Sequence, residues 1–231
     1  MTQKMIPEKE LISKPIKLRN ECIFYLGHIP TFLDIHITRA TTGNPTEPAD
    51  FRNIFERGID PDVEDPSKCH AHSEIPAEWP AVDAVLKYQE KVRARALALY
   101  RSGEAERNAY ISRALWLGFE HEAMHLETLL YMLIQSDKAL PPPGTVTPDF
   151  AALDKQAETL AVENEWFTIP DANIDVGLDD DGEYPDSSHY FGWDNEKPRR
   201  SAHVKSFRAK ARPISNGEYA AYLDNTGRHG K

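Results

Sequence analysis

The sequence predicts an α+β protein: a helical bundle over residues 1–140, a linker at 141–162, and a mixed strand and helix segment over 163–231. Three features point there. Residues 83–101 repeat apolar side chains at helical spacing, and after Ser102-Gly103 a longer helical pattern runs from about residue 104 to 136. Two long helices joined by so short a turn pack antiparallel, which is the repeating unit of a bundle. Beyond Pro141-Pro142-Pro143-Gly144 the period changes to short runs rich in β-branched and aromatic residues, separated by turn residues.

Residues 1–15 are polar and weakly patterned, ending at Pro15. From Leu18 to about Thr38, the apolar residues Cys22, Ile23, Tyr25, Leu26, Ile29, Phe32, Leu33, Ile35 and Ile37 recur at helical intervals, so a helix kinked at Pro30 is expected. It carries His28 and, two turns on, His36, which reads as an ordinary core histidine. Residues 41–80 hold six prolines and two glycines and predict an irregular connection. A loop of that length in a compact domain is often a lid or binding loop. His70 and His72, within Lys68-Cys69-His70-Ala71-His72-Ser73-Glu74, are its candidate substrate contacts.

In the helix at 83–101, the expected apolar stripe is Val85, Leu86, Val92, Ala96, Leu97, Leu99 and Tyr100, with Lys87, Glu90, Lys91, Arg93 and Arg95 toward water. The segments 165–170, 173–178 and 202–207 read as strands, and Ser215-Asn216-Gly217-Glu218 as a capping box opening a helix over 219–225. Asp179-Asp180-Asp181-Gly182-Glu183 lacks the spacing of an EF-hand and is expected to be an acidic surface turn. A few short strands and one helix cannot bury a core by themselves. The expectation is therefore a second domain, begun near residue 160 and incomplete at Lys231, in a chain that is a fragment.

Composition excludes several classes of function. The 231 residues carry 27 basic against 37 acidic side chains, a formal charge of -10, which disfavours a nucleic-acid footprint or an anionic-membrane patch. No stretch approaches 18 consecutive apolar residues and the first residues form no apolar signal segment, so the expected compartment is the cytoplasm. Cys22 and Cys69 lack C-x-x-C spacing, and Cys22 reads as a small buried hydrophobe.

The chemistry concentrates in Phe119-Glu120-His121-Glu122-Ala123-Met124-His125-Leu126-Glu127, an H-x-x-x-H-x-E run on the second long helix. Residues four apart share one helix face, so His121 and His125 can aim at one point. Two imidazoles are half a metal site, and His28 is the best candidate for the third ligand. Glu127 lies about 200 degrees round the helix from His125, which leaves it an outer-shell or structural role.

Three metal chemistries compete for this run. His121-Glu122-x-x-His125 satisfies H-E-x-x-H, with Glu122 as the base of a zinc peptidase, although the metzincin continuation is absent. A ferritin-like di-iron site would need a second E-x-x-H pair, and no other histidine has Glu three residues before it. A mononuclear site of His28, His121 and His125 suits ferrous iron as well as zinc and leaves positions open for substrate and dioxygen.

Four segments together resemble the sulfoxide synthases of ergothioneine and ovothiol biosynthesis, and look most like the fungal ergothioneine branch. They are Phe24-Tyr25-Leu26-Gly27-His28-Ile29-Pro30, His121 through Glu127, Asp194-Asn195-Glu196-Lys197-Pro198-Arg199, and Pro213-Ile214-Ser215-Asn216-Gly217-Glu218-Tyr219. The resemblance implies a DinB-like helical bundle followed by a C-type-lectin-like domain of the formylglycine-generating-enzyme type. It implies a mononuclear non-haem Fe(II) on His28, His121 and His125. The implied reaction joins a cysteine-type thiol to the imidazole C2 of hercynine with O2 and oxidises the sulfur to a sulfoxide.

Relatives that use γ-glutamylcysteine place arginines in the loop corresponding to Cys69-His70-Ala71-His72. The lack of arginine there is compatible with free cysteine as the thiol. The family's catalytic tyrosine falls beyond Lys231, so the full-length parent is the expected enzyme. From a different class, a catalytically silent DinB-like metal-binding module competes with this reading, and a zinc peptidase stands behind both.

Overall fold

The computed structural model describes residues 2–17, 19–56, 59–61, 69–71, 76–180, 182 and 191–227. Its first helix, α1 (Cys22–Thr41), is preceded by two short 3₁₀ turns at Thr2–Met5 and Glu8–Glu10. Every residue from Cys22 to His28 is buried, the mark of a helix enclosed on all sides rather than laid on a surface. Pro30 is itself buried and does not end the helix, which continues to Thr41. An interior proline costs ~3 kcal/mol through the hydrogen bond it removes, and burial on both sides of Pro30 outweighs it.

The polar N-terminal segment contributes more than its pattern suggested: Met5, Ile6 and Leu11 are buried in the main core. Its backbone also closes the start of α1, where Ile23 N donates to Leu11 O at 2.7 Å and Cys22 N to Ser13 O at 3.2 Å. Glu21, at the cap position, makes no side-chain cap bond. The orphan donors of a helix start need some acceptor, and here another stretch of chain supplies it.

The expected long loop contains a short helix, α2 (Phe51–Phe55), and a two-stranded antiparallel hairpin of β1 (Ile59–Pro61) and β2 (Cys69–Ala71). Next comes α3 (Val82–Arg101), whose buried residues are Val85, Tyr88 and Val92. Leu97 and Tyr100, expected on the apolar stripe, are exposed. Arg95, expected in water, turns inward: its Nη1 lies 2.9 Å from Asp34 Oδ1, and Thr38 and Thr41 of α1 each accept one further hydrogen. Thr46 N donates to the other Asp34 oxygen at 2.9 Å, which pins the chain leaving α1.

The long second helix is broken once. After α4 (Glu104–Arg107), Asn108 adopts an extended conformation and its side chain accepts from Tyr110 N and Ile111 N, so it caps a fresh helix, α5 (Ala109–Leu133). α1 packs on both α5 and α3 and touches α2. The main core gathers Phe24 and Leu26 of α1, Phe55 of α2, Tyr88 of α3 and Met132 of α5. Gly118 of α5 lets α1 close in, because a Cβ there would stand 2.5 Å from Leu33 Cδ1.

The chain divides into two compact units, residues 1–145 with 180–193, and residues 146–179 with 194–231. Of the expected acidic surface turn, Asp179 is exposed, while Asp180 is a correction. Asp180 is only 7% exposed, accepts a hydrogen bond from Gly192 N at 2.9 Å and lies 3.9 Å from the Arg113 guanidinium of α5.

In the second unit the expected linker contains α6 (Phe150–Thr159), capped by Asp149. The four strands are β3 (Trp166–Ile169), β4 (Ala172–Val176), β5 (Arg200–Val204) and β6 (Phe207–Lys210). β3 pairs with β6 and β4 with β5, all antiparallel. The register runs unchanged from Trp166 opposite Lys210 to Val176 opposite Arg200, so this is one long ribbon interrupted at Pro170, which has no N–H to donate. The strand expected over 202–207 is therefore the junction of two. α7 (Asn216–Thr226) opens with the Ser215 and Glu218 capping box. None of the described residues of this unit is buried. Among the described residues no helix is long and apolar enough to cross a membrane.

Candidate metal centre

α1 and α5 together bring three imidazoles to one point. His121 and His125 are one turn apart on α5, with their Nε2 atoms 3.1 Å from each other. His28 of α1 places its Nε2 3.0 Å from His125 Nε2. The three ligand atoms all lie within 4.8 Å of one another. His28 and His121 are buried at 5% and 4% exposure, while His125 is half-buried and so is the member nearest solvent.

A tautomer argument tests whether these residues suit a cation. His28 Nδ1 lies 2.7 Å from the Phe55 carbonyl oxygen, which only accepts, so the hydrogen is on Nδ1 and Nε2 presents a lone pair. His125 Nε2 then faces two other Nε2 atoms with at most one hydrogen or one lone pair of its own. It can satisfy one 3 Å contact and not both. A cation among the three satisfies every lone pair. Donors ~2.1 Å from a common ion and at right angles to one another lie ~3 Å apart, which matches the two separations.

The electrostatics point the same way. Burial pushes the His121 pKa down to about 2, with His28 and His125 adding to the effect, and pushes His125 down to about 4 with His28 adding to it. Burial also lowers His28 against the opposing pull of the Phe55 carbonyl. The cluster is thus three neutral imidazoles, the state that binds a metal. Aromatic rings of α1 flank each one: Phe24 stacks on His28 at 5.0 Å, Phe32 on His121 at 3.8 Å, and Tyr25 lies tilted 5.6 Å from His125.

The other sequence candidates fall elsewhere. Glu127 is exposed and, among the described residues, has no bond to the cluster. Glu122 is likewise exposed and lines a cavity of about 340 Å³ with Tyr25, Ile29, Gln89, Arg93 and Leu129. His36 is half-buried, with its ring 4.4 Å from Phe32, and contributes no ligand atom to the cluster. The backbone of His70 sits in β2 opposite Asp60, and His72 lies outside the described residues. Sequence reasoning missed the Phe55 carbonyl, for which a backbone atom leaves no signal. It also missed the three rings, although Phe24 stands one turn before His28 and Phe32 one turn after it.

A three-histidine cluster held between two helices of a bundle marks a helical protein with a candidate metal centre. The DinB superfamily model matches residues 4–129, and the chain belongs to that superfamily. It is also similar to Ergothioneine biosynthesis protein 1 of Neurospora crassa, 57% identical over 223 residues, which is 96% of this chain and 26% of that protein. The protein of the same name from Schizosaccharomyces pombe is 36% identical over 242 residues, covering 97% of this chain and 31% of that protein. The chain thus spans under a third of the length of these curated relatives.

Proposed function

We propose that this chain is the iron-binding part of a non-haem Fe(II)-dependent sulfoxide synthase of ergothioneine biosynthesis, with His28, His121 and His125 as the ligands. The observation that carries the proposal is the convergence of three neutral imidazoles whose mutual contacts cannot all be hydrogen bonds. The relatives' printed names supply the pathway. Bound there, Fe(II) would lower the thiol pKa and offer a place for dioxygen beside the substrates.

The residues of this chain do the remaining work. Three uncharged ligands leave the charge of the ion undiminished for a thiolate. The Phe55 carbonyl fixes the tautomer of His28, and the surrounding aromatic rings exclude water from all but the His125 side. The overall balance is one hydrogen lost from the hercynine C2 and one from the thiol, with one oxygen atom retained in the sulfoxide and the other leaving as water. The second domain of this reading is lectin-like and begins with the ribbon at 166–210. The thiol is cysteine or γ-glutamylcysteine, with His70 and His72 as its contacts, and Glu127 takes a structural rather than an outer-shell role.

Anaerobic titration with Fe(II) should give one site per chain, lost in His28→Ala, His121→Ala and His125→Ala. Aerobic incubation with Fe(II), cysteine and hercynine should then yield the sulfoxide mass, in this chain or in one lengthened to match its relatives. Iron binding without product in the lengthened chain would leave the second reading, a catalytically silent DinB-like metal module. That reading is favoured by the absence of any buried residue among those described in the second unit.

A further inference from the structure

A metal-bound histidine usually donates its outer ring N–H to a fixed acceptor, which sets the plane of the ring. His28 does so, through Nδ1 and the Phe55 carbonyl. His121 does not: its Nδ1 is buried and has no hydrogen-bond partner among the described residues, and the same holds for His125. Among the described residues no hydrogen bond at Nδ1 therefore fixes the plane of the His121 ring, whose Cβ–Cγ torsion is intrinsically broad.

A flat apolar surface covers the face of the ring instead. The Phe32 ring lies parallel to the His121 imidazole, with centroids 3.8 Å apart and planes 8° from each other. Phe32 is braced in turn by His36, one turn further along α1 at 4.4 Å, and by Trp193 at 6.1 Å. At van der Waals separation, the imidazole cannot turn out of plane without driving an edge into the phenyl face. Tyr25 is too far from His125, at 5.6 Å and 53°, to act in this way, so His125 is oriented through His28 and His121.

We propose that Phe32 is a positioning residue for the metal centre, its ring face fixing the plane of His121 in place of a hydrogen bond. This rests on the three-histidine metal reading above. It implies that the cluster is held by two different devices, a carbonyl on the α1 ligand and a phenyl face on the α5 ligand.

The test is Co(II) binding to the 231-residue chain, followed by visible absorption, together with NMR of the metal-free protein. Phe32→Leu should weaken Co(II) binding 10- to 100-fold, the usual effect of removing an outer partner of a ligand. Phe32→Tyr keeps the face and should bind as the native chain does. Phe32→Met fills the space without a face and repeats the Leu result should Leu fold poorly. Phe24→Leu is the control, because Phe24 is more buried than Phe32 and stacks on His28, which keeps its carbonyl. It should cost more stability and less affinity than Phe32→Leu, the reverse of what a purely structural role predicts.

In the metal-free protein, the His121 ring protons should be shifted upfield by the Phe32 face in the native chain and Phe32→Tyr, and not in Phe32→Leu. Native-like Co(II) binding by Phe32→Leu, or a larger affinity loss in Phe24→Leu, overturns the proposal while leaving the metal reading intact. A native chain that binds neither Co(II) nor Fe(II) overturns both.

Discussion

His28 Nδ1 and the carbonyl oxygen of Phe55 are 2.7 Å apart, a hydrogen bond from the buried ligand helix to a five-residue helix between α1 and α3. Only one tautomer can make it, with Nε2 left bare toward His125. Long-range proton–nitrogen NMR of the metal-free chain should show His28 solely as the Nδ1–H form. An Nε2–H signal would mean that the contact to Phe55 is not made in solution.

The same phenylalanine explains why residue 27 is glycine. A Cβ on Gly27 would lie 2.5 to 2.6 Å from the Phe55 ring, which is wholly buried and has nowhere to go, whereas a Cβ on Gly118 meets mainly the end of the Leu33 side chain. Alanine gains ~1 kcal/mol in helix propensity, and overpacking costs about 1–3 kcal/mol. Gly27→Ala should therefore be destabilised by up to about 2 kcal/mol in urea unfolding and bind Co(II) more weakly, while Gly118→Ala should come closer to native stability.

Asp34 of α1 ties α1 to two other parts of the first unit, α3 through Arg95 and the loop after α1 through Thr46. Its side chain is 4% exposed and that of Arg95 22%. Stranding a buried partner costs about 3–5 kcal/mol, and the partial exposure of Arg95 brings the expectation for Asp34→Ala down to about 2–3 kcal/mol. Urea denaturation measures it, and a loss below about 0.5 kcal/mol would show that the network contributes only local order.

Glu218 provides a test in pH. The Ser215 N–H and the Arg212 guanidinium both bond its carboxylate, at 2.7 and 2.9 Å, and hold its pKa down at about 2. A carboxylate depressed in the folded state stabilises α7 above its unfolded value near 4.5 and loses that contribution as the pH falls through about 2. Carbon NMR of the Glu218 side chain should show no titration near 4.5, and Arg212→Ala should move the midpoint upward.

How far the sequence could be read depended on the kind of signal. The α3 and α5 helices, the α7 capping box and the pairing of His121 with His125 are local patterns, each set by spacing along one element. Arg95 was misassigned because its inward turn depends on Asp34, which is 61 residues away. Asp180 was misassigned for the same kind of reason: Gly192 N and Arg113, both distant in sequence, make this one carboxylate a buried anchor. The helix expected to run through Pro30 does so, from Cys22 to Thr41.

By itself the sequence determined an α+β chain with a helical first part, and two imidazoles bound to share a face, because residues four apart in a helix must do so. Only the tertiary structure decided that His28 joins them, which nitrogen it presents and what holds each ring. Those outcomes depend on contacts 27 and 97 residues apart along the chain, to Phe55 and to His125, and distances of that kind are set by packing rather than by period.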